Sequence, residues 1–189
     1  MRCNMPDADH GFANDFSDYA RRWPLERETV GLFEQLWIDN ENPFLRERLA
    51  GHFTASVWLV SGDGSRVLLT HHRKLGMWLQ LGGHADGERD LQVAALKEAA
   101  EESGLTDLRI EPGIFDLDRH RIPEHKGVPE HWHYDVRYVV RSGANEAYIV
   151  SDESHDLAWR DIAELAGSAQ VDASVRRMTG KWMARQANA

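Results

Sequence analysis

The sequence predicts an α+β fold (an α/β/α sandwich) in which a mixed central sheet lies between layers of helices. Two observations predict it. Strand-like apolar runs and helical stretches are mixed along the chain, an order typical of helices that cover both faces of a sheet. The length of 189 residues, with 42% hydrophobic and 28% charged residues, is that of a globular domain with a full hydrophobic core.

The first part of the chain predicts an N-terminal helical extension over residues 1–48. This stretch is rich in charge, Pro24 suits the start of a helix, and residues 40–43 indicate a break. The side chains expected to anchor it are Trp23, Leu32, Phe33, Leu36 and Trp37. The main domain is then expected over 49–189, including a C-terminal helix.

Short apolar runs predict the strands of the main domain. Residues 53–60 (FTASVWLV) and 66–70 (RVLLT) flank an Asp63-Gly64 turn, which indicates a hairpin. Residues 77–81 (MWLQL) predict another strand, which runs directly into Gly82 and Gly83. Further strands are expected around 108–118, 132–141 and 146–150.

Helical stretches are expected over 90–103, near 160–166 and over 171–187. Gly104 suits the end of the first of them. On that helix, spacings of three and four place Val93, Leu96 and Ala100 on an expected core face. The last helix is expected to dock through Val175, Met178, Trp182 and Met183.

Composition limits the partners and the location of the protein. A net charge of −9 argues against nucleic acid as a partner, because nucleic-acid binding needs a basic surface. Cys3 is the only cysteine, so neither a disulfide framework nor a thiolate zinc site is expected. The chain begins without the pattern of a signal peptide, and its longest apolar run, 55–60, is too short to span a membrane. We therefore expect a cytoplasmic protein with no membrane partner.

Three carboxylates stand together on the helix predicted over 90–103. Glu98, Glu101 and Glu102 follow the spacing i, i+3 and i+4, so they gather on one side and repel each other. Oxygen ligands in such a group suit Mg²⁺ or Mn²⁺, which would cancel the repulsion. The alternative is an ordinary solvated face on which Lys97 pairs with Glu101. The preceding Gly82-Gly83 pair favours the metal site, because it lets backbone approach phosphates and metal closely.

The segment from Gly83 to Leu105, GHADGERDLQVAALKEAAEESGL, resembles the Nudix box. That pattern is a glycine, five residues, Glu, seven residues, then Arg-Glu-aliphatic-any-Glu-Glu-any-Gly-aliphatic. The positions that match at its core are Glu98, Glu101, Glu102, Gly104 and Leu105. Two positions depart from it: Arg89 stands where the first Glu belongs, with Glu88 one place early, and Lys97 replaces the Arg.

The resemblance implies a Nudix-like fold and substitution at phosphorus. It implies that Glu98, Glu101 and Glu102, with the backbone carbonyl of Gly82, hold Mg²⁺ or Mn²⁺ against the diphosphate. The general base would be Glu101, Glu102 or an acid on a late loop, where Glu153 is the candidate and Asp156 the reserve. It also implies that a homodimer is possible.

Histidines are numerous, and four of them suggest a second metal. Alternation along the strand near 131–141 places His131 and His133 on the face opposite its apolar residues, which an exposed sheet face would also explain. Isopentenyl-diphosphate isomerase, a divergent branch of the same superfamily, binds a transition metal at places that His52 and His84 match. Its two acidic ligands fall where His131 and His133 stand, so the likeness implies Zn²⁺, Mn²⁺ or Fe²⁺ at these four residues.

Two basic clusters are candidates for binding an anionic substrate. Arg73 and Lys74 follow the predicted hairpin, together with His71 and His72, and a solvated basic turn is the alternative. The second cluster is Arg119, His120 and Arg121.

The sequence as a whole predicts a metal-dependent hydrolase that cleaves the diphosphate linkage of a nucleoside diphosphate derivative or a similar small pyrophosphate. One alternative is a prenyl-diphosphate isomerase, although that enzyme has a catalytic cysteine where this chain has Gly82. The other is a non-catalytic Nudix module that senses nucleotides.

Overall fold

The fold was derived from a computed structural model, which describes residues 7–39, 41–72, 76–150, 154–169 and 171–187. It is a mixed sheet with helices, so the predicted α+β class is confirmed. Five helices are described: α1 (Asp7–Arg22), α2 (Arg27–Trp37), α3 (Leu91–Ser103), α4 (Ile162–Leu165) and α5 (Ala173–Ala187). The strands are β1 (His52–Val60), β2 (Arg66–His72), β3 (Met77–Leu79), β4 (Leu81–His84), β5 (Leu108–Ile110), β6 (Asp116–Ile122), β7 (His131–Ser142) and β8 (Ser154–Asp161).

The two N-terminal helices pack on the same core as the sheet. Phe33 of α2 is fully buried, and its ring lies 6.2 Å from Phe53 and 5.2 Å from Tyr134, on β1 and β7. Phe12 of α1 contacts Phe53 edge to face at 5.6 Å. Aromatic pairs of this geometry add to the free energy gained by burial, so α1 and α2 cover one face of the sheet.

Strand β1 lies at the centre of the sheet. It runs parallel to β7 along its whole length, from His52 opposite His133 to Val60 opposite Arg141. Its other edge pairs antiparallel with β4. The predicted turn after β1 forms, with the Asp63 carboxylate accepting from the Ser65 amide at 2.9 Å. However, β1 and β2 share one registered pair, Val60 with Val67, because the two edges of β1 pair with β4 and β7.

The remaining strands extend the sheet on both sides. β2 pairs with β3 and β8, and β7 pairs with β5 and β6, all antiparallel. The strand expected over 146–150 was wrong, because those residues lie outside any strand and the strand forms later, as β8. Trp159 of β8 donates its indole N–H to the Glu146 carbonyl at 3.0 Å, so the segment before β8 is held by side-chain contacts instead of a ladder.

Helix α3 matches its expected bounds but not its expected core face. The Asp90 side chain accepts from the amides of Gln92 and Val93, and Gly104 ends the helix with φ +70°. Of the predicted Val93–Leu96–Ala100 face, Leu96 packs against the core, but Val93 is 51% exposed, so its place in the core was wrong. The buried residues are Leu91, Ala94, Ala95, Ala99 and Ser103. Small alanines face the sheet because the helix packs closely on β1 and on the glycines of β4.

Helix α5 covers the opposite face of the sheet. Val175, Met178 and Trp182 are buried as predicted, whereas Met183 is 45% exposed and does not dock. The helix also brings two cations to the sheet, where Asp116 of β6 is fully buried. Its carboxylate accepts from Lys181 at 2.7 Å, from Arg177 at 2.7 Å and from Arg137 of β7 at 3.1 Å. Among the described residues, none of the helices is both long and apolar enough to cross a membrane.

Candidate functional site

The three glutamates of α3 do not share one solvated face. At 100° per residue, Glu98 and Glu102 fall close to the buried residues Leu91 and Ala95, while Glu101 turns away. Glu98 and Glu102 are half-buried, and the side chain of Glu101 is 60% exposed and lies 3.8 Å from Lys97. Two of the three carboxylates therefore continue the face of α3 that packs on the sheet.

Glycine at position 83 leaves the space that Glu98 occupies. A Cβ on Gly83 would lie 2.5 Å from Oε2 of Glu98 and 2.7 Å from its Cδ. The carboxylate is thus seated directly against the backbone of β4. A side chain at position 83 would displace it.

Glycine at position 82 is required for a different reason. Its φ is +150°, and a Cβ there would lie 2.3 Å from the Ser56 hydroxyl oxygen and 2.5 Å from the Ser56 Cα. Ser56 is its pairing partner on β1. The close pairing of β4 with β1 therefore leaves no room at position 82 for a side chain, and cysteine is among those excluded.

The loop between β4 and α3 is held by contacts that the sequence did not indicate. Asp86, with φ +49°, forms a bidentate pair with Arg46, whose Nε donates to its carboxylate at 2.5 Å. Arg89 stacks on Phe44, with 5.3 Å between the guanidinium carbon and the ring centroid. Glu88 accepts from the Asp90 amide at 2.9 Å. Asp86 and Arg89 thus anchor the loop to the segment before β1, and Arg89 is one of the two residues that depart from the Nudix box.

Four histidine rings meet at one end of the sheet. The ring centroid of His52 lies 5.2 Å from those of His84 and His131 and 4.9 Å from that of His133. The structure thus brings together the four histidines chosen from the sequence. One ring nitrogen from each of His52, His131 and His133 lies within 4.8 Å of the other two.

Three histidines of this group, His52, His84 and His133, have lowered pKa values and are uncharged at neutral pH. Burial, together with the neighbouring His84 and His52, lowers the pKa of His133 to about 2. Burial and the charge of Arg46 lower the pKa of His84 to about 4, and burial also lowers the pKa of His52. Neutral imidazoles with free lone pairs are the form that binds metal ions.

A fifth histidine that sequence reasoning placed in the wrong group lies beside these rings. His120 pairs with His133 across the β6–β7 ladder, and their rings are 5.4 Å apart. Nδ1 of His120 lies 3.0 Å from the Asp118 carboxylate. Alternation along β6 could have identified it, because it separates His120 from Arg119 and Arg121.

The arginines of β6 therefore do not form a cluster with His120. Arg119 stacks on Trp132, with 3.6 Å between the guanidinium carbon and the ring centroid, and Arg121 pairs with Glu130 at the surface. Arg119 and Trp132 line a cavity of about 420 Å³ at the edge of the sheet, bounded on its other side by Arg177 of α5.

Below the histidines, the same face of the sheet carries a buried polar row. The Asp135 carboxylate accepts from the hydroxyls of Thr54 and Ser56 at 2.9 and 2.8 Å and from Nε of Arg137 at 2.7 Å. These groups satisfy each other, so the row is structural. His52, His131, Asp135 and Arg137 are buried, so the exposed sheet face considered as an explanation for the histidines was wrong.

Three of the predicted site residues, Arg73, Lys74 and Glu153, lie outside the described residues. The reserve acid Asp156 is exposed on β8, where its carboxylate accepts from the amide of Leu157 at 2.9 Å.

Comparisons with known proteins agree with this geometry. The model of the NUDIX domain matches residues 51–181. A search of curated proteins gave no match. Among solved structures, a Caenorhabditis elegans Ap4A hydrolase binary complex is similar with 20% identity and a TM-score of 0.57, over 72% of this chain and 98% of that one.

Two further structures share the fold. A NUDIX family hydrolase from Clostridium perfringens has 23% identity and a TM-score of 0.57, over 71% of this chain and 97% of that one. The NUDIX domain of Shewanella oneidensis NrtR, complexed with ADP ribose, has 19% identity and a TM-score of 0.55, over 82% and 99%.

Proposed function

The chain belongs to the Nudix family of pyrophosphohydrolases, and we propose that it hydrolyses the diphosphate linkage of a nucleoside diphosphate derivative or a similar small pyrophosphate with the help of Mg²⁺ or Mn²⁺. The observation that carries this proposal is the seat of Glu98 against Gly83. This contact holds a carboxylate oxygen at a fixed place beside the backbone of β4, and carboxylate oxygens are the ligands that Mg²⁺ and Mn²⁺ prefer.

The residues present fit such an ion. Glu98 and Glu102 lie on the sheet-facing side of α3, and the missing side chain at position 83 lets the carboxylate of Glu98 lie directly against the backbone of β4. Glu98, Glu101, Glu102 and the carbonyl of Gly82 would hold the metal. When bound, it supplies charge neutralisation at the diphosphate and lowers the pKa of a water.

The protein's own groups supply proton transfer and orientation. Glu101 is the most exposed of the three glutamates, which suits a group that exchanges a proton with solvent, and Glu102 is the second candidate. Glu153, which lies outside the described residues, is the third candidate for the general base. For the phosphates we propose Arg73, Lys74, Arg119 and Arg121. The stacking of Arg119 on Trp132 beside a cavity supports its part in this.

The proposal includes a transition-metal ion at the histidine group of His52, His84, His131 and His133. The convergence of the rings supports it. Nitrogen ligands of this kind suit Zn²⁺, Mn²⁺ or Fe²⁺ and are a poor match for Mg²⁺.

The test is a panel of diphosphate compounds assayed for released phosphate with Mg²⁺, Mn²⁺ and Zn²⁺. We expect Glu98→Gln and Glu102→Gln to lower Mg²⁺-dependent turnover about a thousandfold, because each removes a charge from the metal site. Glu164→Gln, an exposed residue on α4, is the matched control and should keep full activity. Full activity in Glu102→Gln would refute the proposal. Nucleotide binding without turnover under every metal would identify a sensing module instead.

The prenyl-diphosphate isomerase is disfavoured by the backbone at Gly82. Its cysteine belongs at a position where a Cβ would lie 2.3 Å from the Ser56 hydroxyl oxygen. Incubation with isopentenyl diphosphate should therefore give no dimethylallyl product.

A further inference from the structure

We propose that His52, His131 and His133 form a three-imidazole centre for a transition-metal ion of the Zn²⁺ class, separate from the carboxylates of α3, with its fourth position facing His84 and His120. This deepens the cofactor part of the proposed function and rests on it. The ligands are nonetheless a different set from the Nudix glutamates, so the two assignments can fail independently.

The protonation of two rings follows from their backbone contacts. Nδ1 of His52 lies 3.1 Å from the Arg48 carbonyl, and Nδ1 of His131 lies 2.8 Å from the Pro129 carbonyl. A carbonyl oxygen can only accept, so both Nδ1 atoms carry the proton and both Nε2 atoms keep a lone pair. Metal-binding histidines are typically oriented in this way by the second ring nitrogen.

Of these two Nε2 atoms, that of His131 contacts Nε2 of His133, whereas that of His52 has no such contact within the described part of the protein. Nε2 of His52 is buried and has no hydrogen-bond partner. A buried nitrogen without a partner has lost its hydration without compensation. A metal ion at this point would provide that compensation.

The spacing also fits a tetrahedral ion. Nε2 of His131 and Nε2 of His133 are 3.3 Å apart. Zinc–nitrogen bonds of about 2.0–2.1 Å in tetrahedral geometry place neighbouring nitrogens roughly 3.3–3.4 Å apart. A ring nitrogen of His52 lies within 4.8 Å of both. A side-chain rotation that moves this nitrogen by about 1 Å would bring all three nitrogens to the spacing of a tetrahedral site.

The centre lies on the other face of β4 from the Nudix glutamates. Side chains alternate along a strand, so Gly83 faces Glu98 while the next residue, His84, faces His52. A single ion cannot be shared by Glu98 and the three imidazoles. The two rings that face the fourth position are held in place. His120 contacts the carboxylate of Asp118, which accepts from Arg177 of α5 at 2.8 Å. His84 is held by the pairing of β4 with β1.

The test uses the full chain, stripped of metal by a chelator and titrated with Co²⁺, whose visible absorption distinguishes a four-coordinate nitrogen site from hydrated ion. We expect one tight equivalent in the wild type. His133→Gln and His52→Gln should each weaken Co²⁺ binding by more than about 100-fold, since removing a ligand costs more than removing an outer partner. His125→Gln, on an exposed turn, and Glu98→Gln should leave the absorption unchanged.

Two results would overturn the proposal. The first is wild-type protein that binds Co²⁺ no more tightly than His133→Gln does. The second is a Co²⁺ absorption band that disappears in Glu98→Gln, because that would assign the ion to the carboxylates. X-ray absorption at the zinc edge of the wild type needs no variant that must fold. Three or four imidazole nitrogens around zinc support the centre, and an all-oxygen shell refutes it. Loss of turnover in Glu98→Gln with the Co²⁺ band intact would separate this outcome from that of the proposed hydrolysis.

Discussion

Replacing Gly83 by alanine tests whether the seat of Glu98 is what makes the site competent. The added Cβ would lie 2.5 Å from Oε2 of Glu98, and ordinary contacts need about 3.5 Å, so the carboxylate must move by about 1 Å. A displacement of that size in a catalytic group costs about 100-fold in rate, or about 2.7 kcal/mol of barrier. We therefore expect kcat/KM for Mg²⁺-dependent turnover to fall about 100-fold.

Stability should respond in the opposite direction. Gly83 lies in a strand, and the atoms that its new methyl would meet belong to the end of a flexible side chain. Alanine in a strand is favoured over glycine by about 0.5–1 kcal/mol, so the thermal midpoint should stay level or rise. Gly180→Ala, in α5 with no atom within 4 Å of the new Cβ, is the control and should keep its activity. Full activity in Gly83→Ala would show that the position of Glu98 beside β4 does not matter for catalysis.

Four further substitutions test the fold around the site. Gly82→Ala should destabilise the protein by about 2–5 kcal/mol in denaturant unfolding, because the Cβ meets the backbone of Ser56 at 2.5 Å and φ is +150°; a wild-type midpoint would contradict the close pairing. Asp116→Asn should cost about 3–5 kcal/mol, since it removes the shared partner of Arg137, Arg177 and Lys181. Burial alone would raise the pKa of Asp116, but the hydrogen bond from Arg177 and the charges of Arg137 and Lys181 outweigh it and hold the pKa below its usual range. The Asp116 carboxylate therefore stabilises the fold at pH values above its unfolded pKa of about 4, and this stabilisation is lost as the pH falls through its folded pKa. Acid unfolding that is as steep in Asp116→Asn as in the wild type would contradict this. Val93→Ala should cost less than about 0.5 kcal/mol and Trp182→Ala about 3–5 kcal/mol in thermal unfolding, and equal costs would contradict the observed burial.

Local patterns were enough to predict much of the fold. The bounds of α3 follow from Asp90 and Gly104, residues that cap a helix through contacts within a few positions. The apolar face of β7 follows from its alternation, and Tyr134, Val136, Tyr138 and Val140 are buried. Such patterns failed where burial depends on a distant partner. Val93 has the right spacing for a core residue, but the side of α3 that packs on β4 is the one that carries the alanines.

The candidate site divides in the same way. The spacing of Glu98, Glu101 and Glu102 indicated a carboxylate helix, and the residues around it carried the resemblance to the family to which the chain belongs. Periodicity did not show that Glu98 and Glu102 lie on the sheet-facing side, since that depends on the glycines that leave space for them.

By itself, the sequence determined the class of fold, the capped helix with its three acids and the choice of four histidines for one place. The fold class and the capped helix follow from interactions between near neighbours in the chain, which spacing records, whereas the four histidines lie far apart in the chain and were chosen through the likeness to the isomerase branch of the superfamily. The tertiary structure decided which face of α3 meets the sheet, that His120 joins the histidines while Arg119 does not, and that α5 supplies Arg177 and Lys181 to buried Asp116. Each of these features depends on the register between strands and on the docking of helices that are far apart in sequence. The free energy that stabilises such arrangements comes from contacts between distant residues, which no local sequence pattern contains.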